Sequence, residues 1–224
     1  MIFRHHQAIH FHIPKTAGVS VERWLGSPPR EARECDREAL FGWDPEEQFY
    51  LQHATARTVR HLLDDEVFFG CYRFAIVRNP FARLVSAYYY LIDQHRESYG
   101  SFASFVRHVP ELAAARHGRK GSHFLPQVRY TRIEGRDICD YIAYFERLPL
   151  ALEPVRRHLG IATQLERHNV FRRAEREGRT VAEHYDAESA VLIRELYRED
   201  FEAFGYAPDP RDLEPPAGIV GRWF

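Results

Sequence analysis

Ile9-His10-Phe11-His12-Ile13-Pro14-Lys15-Thr16-Ala17-Gly18-Val19-Ser20 is an apolar, strand-like run that breaks at Pro14 and opens into a helix through a Lys/Thr/Gly/Ser turn. Unpaired N–H groups and the positive end of the helix dipole meet at such a turn, which therefore suits an oxyanion. Lys15 adds a mobile point charge, Thr16 and Ser20 add hydroxyls, and Gly18 permits close backbone approach. Lys15 and Lys120 are the only lysines, so an ammonium at this position stands out from a chain that otherwise uses arginine. Because Lys15 precedes Gly18, the turn departs from the Gly-x-x-x-x-Gly-Lys-[Ser/Thr] loop of ordinary NTPases.

Working outward, the first strand is expected over Ala8–Ile13 and its helix over Val19–Leu25, stopped by Gly26-Ser27-Pro28-Pro29. A short helix fits Ala54–Leu63. Val67-Phe68-Phe69-Gly70 and Phe74-Ala75-Ile76-Val77 read as buried strands. The second ends at Arg78-Asn79-Pro80, with Asn79 as N-cap and Pro80 in the first helical position. The helix that follows carries Phe81, Leu84, Val85, Tyr88 and Leu91 on one stripe. A strand-turn-helix unit thus occurs twice.

Further helices are expected around Phe102–His117, up to Gly160, and from Asp186 to Phe204, with a third strand at Tyr141–Phe145. The loop Gly118–Ser122 and the polar segment His123–Arg136 suit a lid. Alternating strands and helices predict a P-loop-like, three-layer α/β/α fold with a mostly parallel central sheet, its ligands lying beyond the carboxyl ends of the strands. The chain is read as one domain, 1–224, with a Pro-rich tail at 207–224.

Composition narrows the partners. A net charge of −1 lacks the basic excess of a general nucleic-acid binder. Cys35, Cys71 and Cys139 are odd in number and not in metal-ligand spacing, so reduced thiols in a cytoplasmic setting, and no metal, are expected. No signal peptide and no bilayer-spanning apolar run is read from the sequence. His10 and His12 flank Phe11 without a carboxylate or cysteine to complete a metal site, and are read as structural. The Tyr88-Tyr89-Tyr90 run suits stacking on a sugar or adenine, with core packing the reading for at least two of the three. Arg172-Arg173 and Arg116–Lys120 are read as solvated faces, the second suited to an acidic acceptor.

Arg78 at a strand end and Ser86 two turns into the next helix form a second anion site, which implies a ligand with two separated phosphates. Pro14–Ser20 resembles the 5′-phosphosulfate loop, and Arg78-Asn79-Pro80-Phe81-Ala82-Arg83-Leu84-Val85-Ser86-Ala87-Tyr88 resembles the 3′-phosphate segment, of sulfotransferases that use 3′-phosphoadenosine 5′-phosphosulfate. The likeness is to their carbohydrate (Golgi-type, family 2-like) branch. Fainter echoes are Gln52-His53-Ala54-Thr55, Tyr141–Glu146 and Tyr197–Tyr206.

The resemblance implies that Lys15 contacts the oxygen bridging phosphate to sulfate, that Thr16, Ala17, Gly18, Val19 and Ser20 wrap the 5′-phosphate, and that Arg78 and Ser86 hold the 3′-phosphate. It implies in-line sulfuryl transfer to a hydroxyl of a small molecule or oligosaccharide, without a metal. His53 matches a histidine proposed as the base in relatives that sulfate uronic acids; His123 and Glu146 are the alternatives. His123, Gln127 and Arg132 are placed near the acceptor. A P-loop-like kinase needs Mg²⁺ near a strand-end carboxylate, where this chain has Arg78. A non-catalytic nucleotide-binding module is the other alternative.

Overall fold

The computed structural model describes residues 1–27, 34–95, 99–115, 121–166, 178–219 and 221–224, with backbone alone over 92–95. In chain order its strands are β1 (Ile2–Phe3), β2 (Ala8–Phe11), β3 (Trp43–Asp44), β4 (Phe49–Tyr50), β5 (Tyr72–Val77), β6 (Arg132–Ile133), β7 (Arg136–Asp137), β8 (Tyr141–Tyr144) and β9 (Gly221–Trp223). Five of them form the central sheet in the order β1-β2-β5-β8-β9. The inner three are parallel and the two edges antiparallel.

Side chains alternate across this sheet because the strand period is two. Ile9, Phe11, Ala75, Val77, Ile142 and Tyr144 pack on one face, with α4 (Pro80–His95) and α5 (Phe102–Ala114). Ala8, Phe74, Ile76, Tyr141 and Ala143 pack on the other, with α1 (Gly18–Trp24) and the segment around Leu152 and Val155. Helices on both faces of a mostly parallel sheet give the expected P-loop-like layers. Asn79 caps α4 as its sequence predicts, its Oδ1 accepting from the N–H groups of Phe81 (3.0 Å) and Ala82 (3.4 Å).

Several elements differ from expectation. Val67–Gly70 is not a strand but part of a helix, Asp65–Gly70. Four apolar residues cannot distinguish the two by periodicity, whereas Asp65 and Glu66 favour a first helical turn. Phe68 is buried while Phe69 is 59% exposed, so the run was never buried on both sides. The helix expected over Asp186–Phe204 is two, Ala187–Leu196 and Arg198–Phe204, joined at Tyr197. The C-terminal tail contributes β9, which pairs with β8. The first strand stops at Phe11, where the Ile13 N–H turns back to the Phe11 carbonyl at 3.0 Å. Pro28-Pro29, Arg116–Lys120 and Arg172-Arg173 lie outside the described residues. Among the described residues no helix is long and apolar enough to cross a membrane.

Candidate functional site

Parallel pairing sets the site. Phe11 is opposite Ala75, and Val77 is opposite Tyr144, so β2, β5 and β8 release their chains at one edge of the sheet. Lys15, Arg78 and Phe145 follow there. The Arg78 guanidinium lies 4.2 Å from the Phe145 ring centroid, and its Nη1 donates to the Lys15 carbonyl at 3.2 Å. Two segments 63 residues apart in sequence are joined by that bond.

The Pro14–Ser20 turn is strained. Lys15 (φ 71°) and Ala17 (φ 72°) occupy the left-handed region without being glycine, at a cost of order 1–2 kcal/mol each, and such strain is characteristic of functional sites. Thr16 is fully buried and its hydroxyl donates to the Ile13 carbonyl at 2.7 Å, which closes the turn. That proton is given to the loop itself. Gly18 also makes room for a neighbour, since a Cβ there would lie 1.8 Å from His12 Nε2. The His12 ring fills the space, held also by Glu22 Oε1 at 3.2 Å from its Nδ1. Val19 is 43% exposed and Ser20 is buried.

The Lys15 ammonium sits 4.0 Å from the centroid of the Tyr90 ring. Burial, and then the neighbouring Arg78 charge, lower its pKa to about 7. Ser86 is half-buried on α4, one turn before Tyr90.

His53 ends a short 3₁₀ turn, Leu51–His53, that follows the β3–β4 hairpin. Its Nδ1 donates to the His12 carbonyl at 3.2 Å, and its ring packs edge-on to His12 (4.6 Å) and His123 (5.4 Å). Burial, followed by the His12 and His123 rings, holds its pKa well below the ordinary imidazole value. The ring lines a cavity of about 430 Å³ with Thr55, Thr58, Ser122, Arg57, Arg129 and Arg132. An adjoining cavity of about 540 Å³ shares the three arginines and continues to Glu199 and Glu202.

The remaining expected site residues separate. Arg132 lines both cavities but is held by Asp137, Nε to Oδ1 at 2.7 Å. His123 does not line the cavity beside His53; it is buried behind that ring, and its carbonyl accepts from the buried Arg83 at 3.2 Å. Gln127 faces no cavity: it is fully buried, and its amide group clamps the Arg78 backbone, accepting from the N–H at 2.9 Å and donating to the carbonyl at 2.8 Å. Glu146 accepts from the Asn79 N–H (2.8 Å) and the Tyr206 hydroxyl (2.7 Å), so this carboxylate secures the start of α4. Asp200 accepts from the N–H groups of Gln127 (2.9 Å) and Val128 (3.0 Å), which ties the helix Arg198–Phe204 to the same clamp.

Three residues not assigned a site role in the sequence line the candidate site: Tyr90, considered there only as one of a run suited to stacking, and Arg57 and Arg129. Tyr90 is the one tyrosine of its run that stays half-buried beside Lys15, while Tyr88 and Tyr89 enter the core; its spacing of four from Ser86 was the available signal. Arg57 and Arg129 left none, because exposed helical arginines are commonplace.

A P-loop-like α/β protein with cations gathered at its strand ends is the class defined by this fold. Residues 1–207 match the model of the sulfotransferase family, and the chain belongs to that family. It is a transferase by that membership, and its chemistry is sulfuryl transfer. Neither the curated proteins nor the solved structures returned a match.

Proposed function

We propose that the chain moves a sulfuryl group from 3′-phosphoadenosine 5′-phosphosulfate to a hydroxyl of a carbohydrate or similar acceptor seated in the cavity beside His53. The observation that carries this reading is the Arg78 Nη1 to Lys15 carbonyl bond, which holds two cationic segments together as a ligand with two separated phosphates requires. The donor set fits. Lys15 and Arg78 supply charge, Ser86 and Ser20 supply hydroxyls, and the strained turn around Thr16 supplies backbone N–H groups.

In this mechanism His53 Nε2 takes the proton of the acceptor hydroxyl as its oxygen attacks sulfur. The new O–S bond forms as the bond between sulfur and the bridging phosphate oxygen breaks in line. Negative charge collects on that oxygen, where the Lys15 ammonium neutralises it. Phosphoadenosine phosphate then leaves, and His53 returns its proton to water.

Calorimetric titration with 3′-phosphoadenosine 5′-phosphate, beside adenosine 5′-monophosphate and Mg-ATP, tests the donor. The bisphosphate is expected to bind tightly and alone, and Arg78→Ala to weaken it by about 1.5–3 kcal/mol through loss of a charged contact. Better binding of Mg-ATP, or no effect of Arg78→Ala, overturns the reading.

A further inference from the structure

Tyr90 lies between the two halves of the site. Its ring holds the Lys15 ammonium 4.0 Å from its centroid and stacks on His123 at 5.5 Å with an interplanar angle of 13°. His123 in turn packs on His53 at 5.4 Å. A chain of aromatic contacts from the donor-side cation to the acceptor-side imidazole therefore passes through Tyr90. The ring is well placed for this. It stands one turn beyond Ser86 on α4, a helix fixed at its start by Asn79 and tied through Arg83 to the segment carrying His123. Burial raises the phenol pKa, so the neutral ring, not a phenolate, faces Lys15.

We infer that Tyr90 is a positioning residue for sulfuryl transfer, its ring holding the Lys15 ammonium at the leaving group while packing, through His123, against the His53 base. This inference rests on the function proposed above. A lysine side chain has four rotatable bonds, and an aromatic face restricts the ammonium by attraction to its negative quadrupole without consuming its hydrogen-bond donors. A ring of fixed position also sets the distance between the cation and the base, on which in-line transfer depends.

The test compares wild type with Tyr90→Phe, which keeps the aromatic face, and Tyr90→Leu, which keeps apolar volume without it. Three quantities are read: affinity for 3′-phosphoadenosine 5′-phosphate, turnover of the phosphosulfate donor with water as acceptor, and the pH midpoint of Lys15 acylation by mass spectrometry. Lys15 and Lys120 are the only lysines, so the peptides resolve them. Tyr90→Phe is expected to match wild type throughout. Tyr90→Leu is expected to keep nucleotide affinity, since Arg78 and Ser86 remain, and to lose about 10- to 100-fold in turnover at unchanged donor KM. Its Lys15 midpoint is expected to fall, because Arg78 still faces the ammonium and the stabilising ring face is gone. An unmoved midpoint with wild-type turnover in Tyr90→Leu overturns the inference, as does a loss of nucleotide affinity equal to the loss of turnover. A wild-type protein that binds no bisphosphate overturns the donor reading itself, and the inference with it.

Discussion

His53 Nδ1 lies 3.2 Å from the carbonyl oxygen of His12, and because a carbonyl only accepts, this bond fixes the tautomer of the His53 ring. Nδ1 carries the proton and Nε2 keeps the lone pair. The His12 residue whose carbonyl sets this state also fills the space above Gly18, so the proposed base and the proposed anion loop share one support.

His53→Ala is expected to slow sulfuryl transfer by ~10²–10⁴-fold with nucleotide affinity unchanged. Burial disfavours the imidazolium, so the ring is neutral above its lowered pKa and its proposed role as base is lost only on acidification. The acid limb of kcat/KM is therefore expected below pH 6.5 in wild type and absent from the variant's residual activity. A limb above pH 6.5, or the same limb in His53→Ala, would assign the proton to another group.

Lys15 titrates at about 7 in the free protein, and an anionic nucleotide favours its charged form. Binding above pH 7 then takes up a proton, and affinity for 3′-phosphoadenosine 5′-phosphate falls as pH rises through 7, by at most about tenfold per pH unit. Calorimetry in buffers of different ionisation enthalpy reads this uptake, and Lys15→Met removes it. Without nucleotide the sign for folding is opposite: the unfolded chain holds this proton more tightly, so stability rises between pH 7 and the ordinary lysine value.

Gly18→Ala places a Cβ 1.8 Å from His12 Nε2. Either the ring or the loop has to move, at a cost of about 1–3 kcal/mol in a denaturant melt. Combining it with His12→Ala frees the space, so the double variant is expected to lose less than the two single losses added together. Strict additivity would show that the ring does not set the requirement for glycine.

Arg129 is exposed where the two cavities adjoin, and among the described residues no carboxylate pairs with it, whereas Arg132 is held by Asp137 and Arg57 lies 3.7 Å from Glu134. Arg129→Glu is expected to leave nucleotide affinity and thermal stability unchanged and to raise KM for carboxylated or sulfated oligosaccharides more than for neutral ones. Equal effects on both kinds of acceptor would remove Arg129 from acceptor recognition.

The sequence by itself determined the layers and the donor-side elements. The apolar run Phe74–Val77 could only be a strand buried on both faces, Asn79-Pro80 could only start a helix there, and an ammonium in a Gly/Thr/Ser turn pointed to the loop proposed here to take the anion; each is a local property of consecutive residues. Local pattern failed where the deciding partner is distant. Val67–Gly70 became a helix because only one side of it meets the core, and the tail became β9 because β8 had an open edge. Only the tertiary structure showed that Gln127 and Glu146 secure the Arg78–Asn79 corner, that Gly18 makes room for the His12 ring, and that Tyr90 stands between Lys15 and His123. The physical reason is common to all: a polar or aromatic side chain takes its role from what it meets across the fold, and no spacing along the chain encodes that meeting.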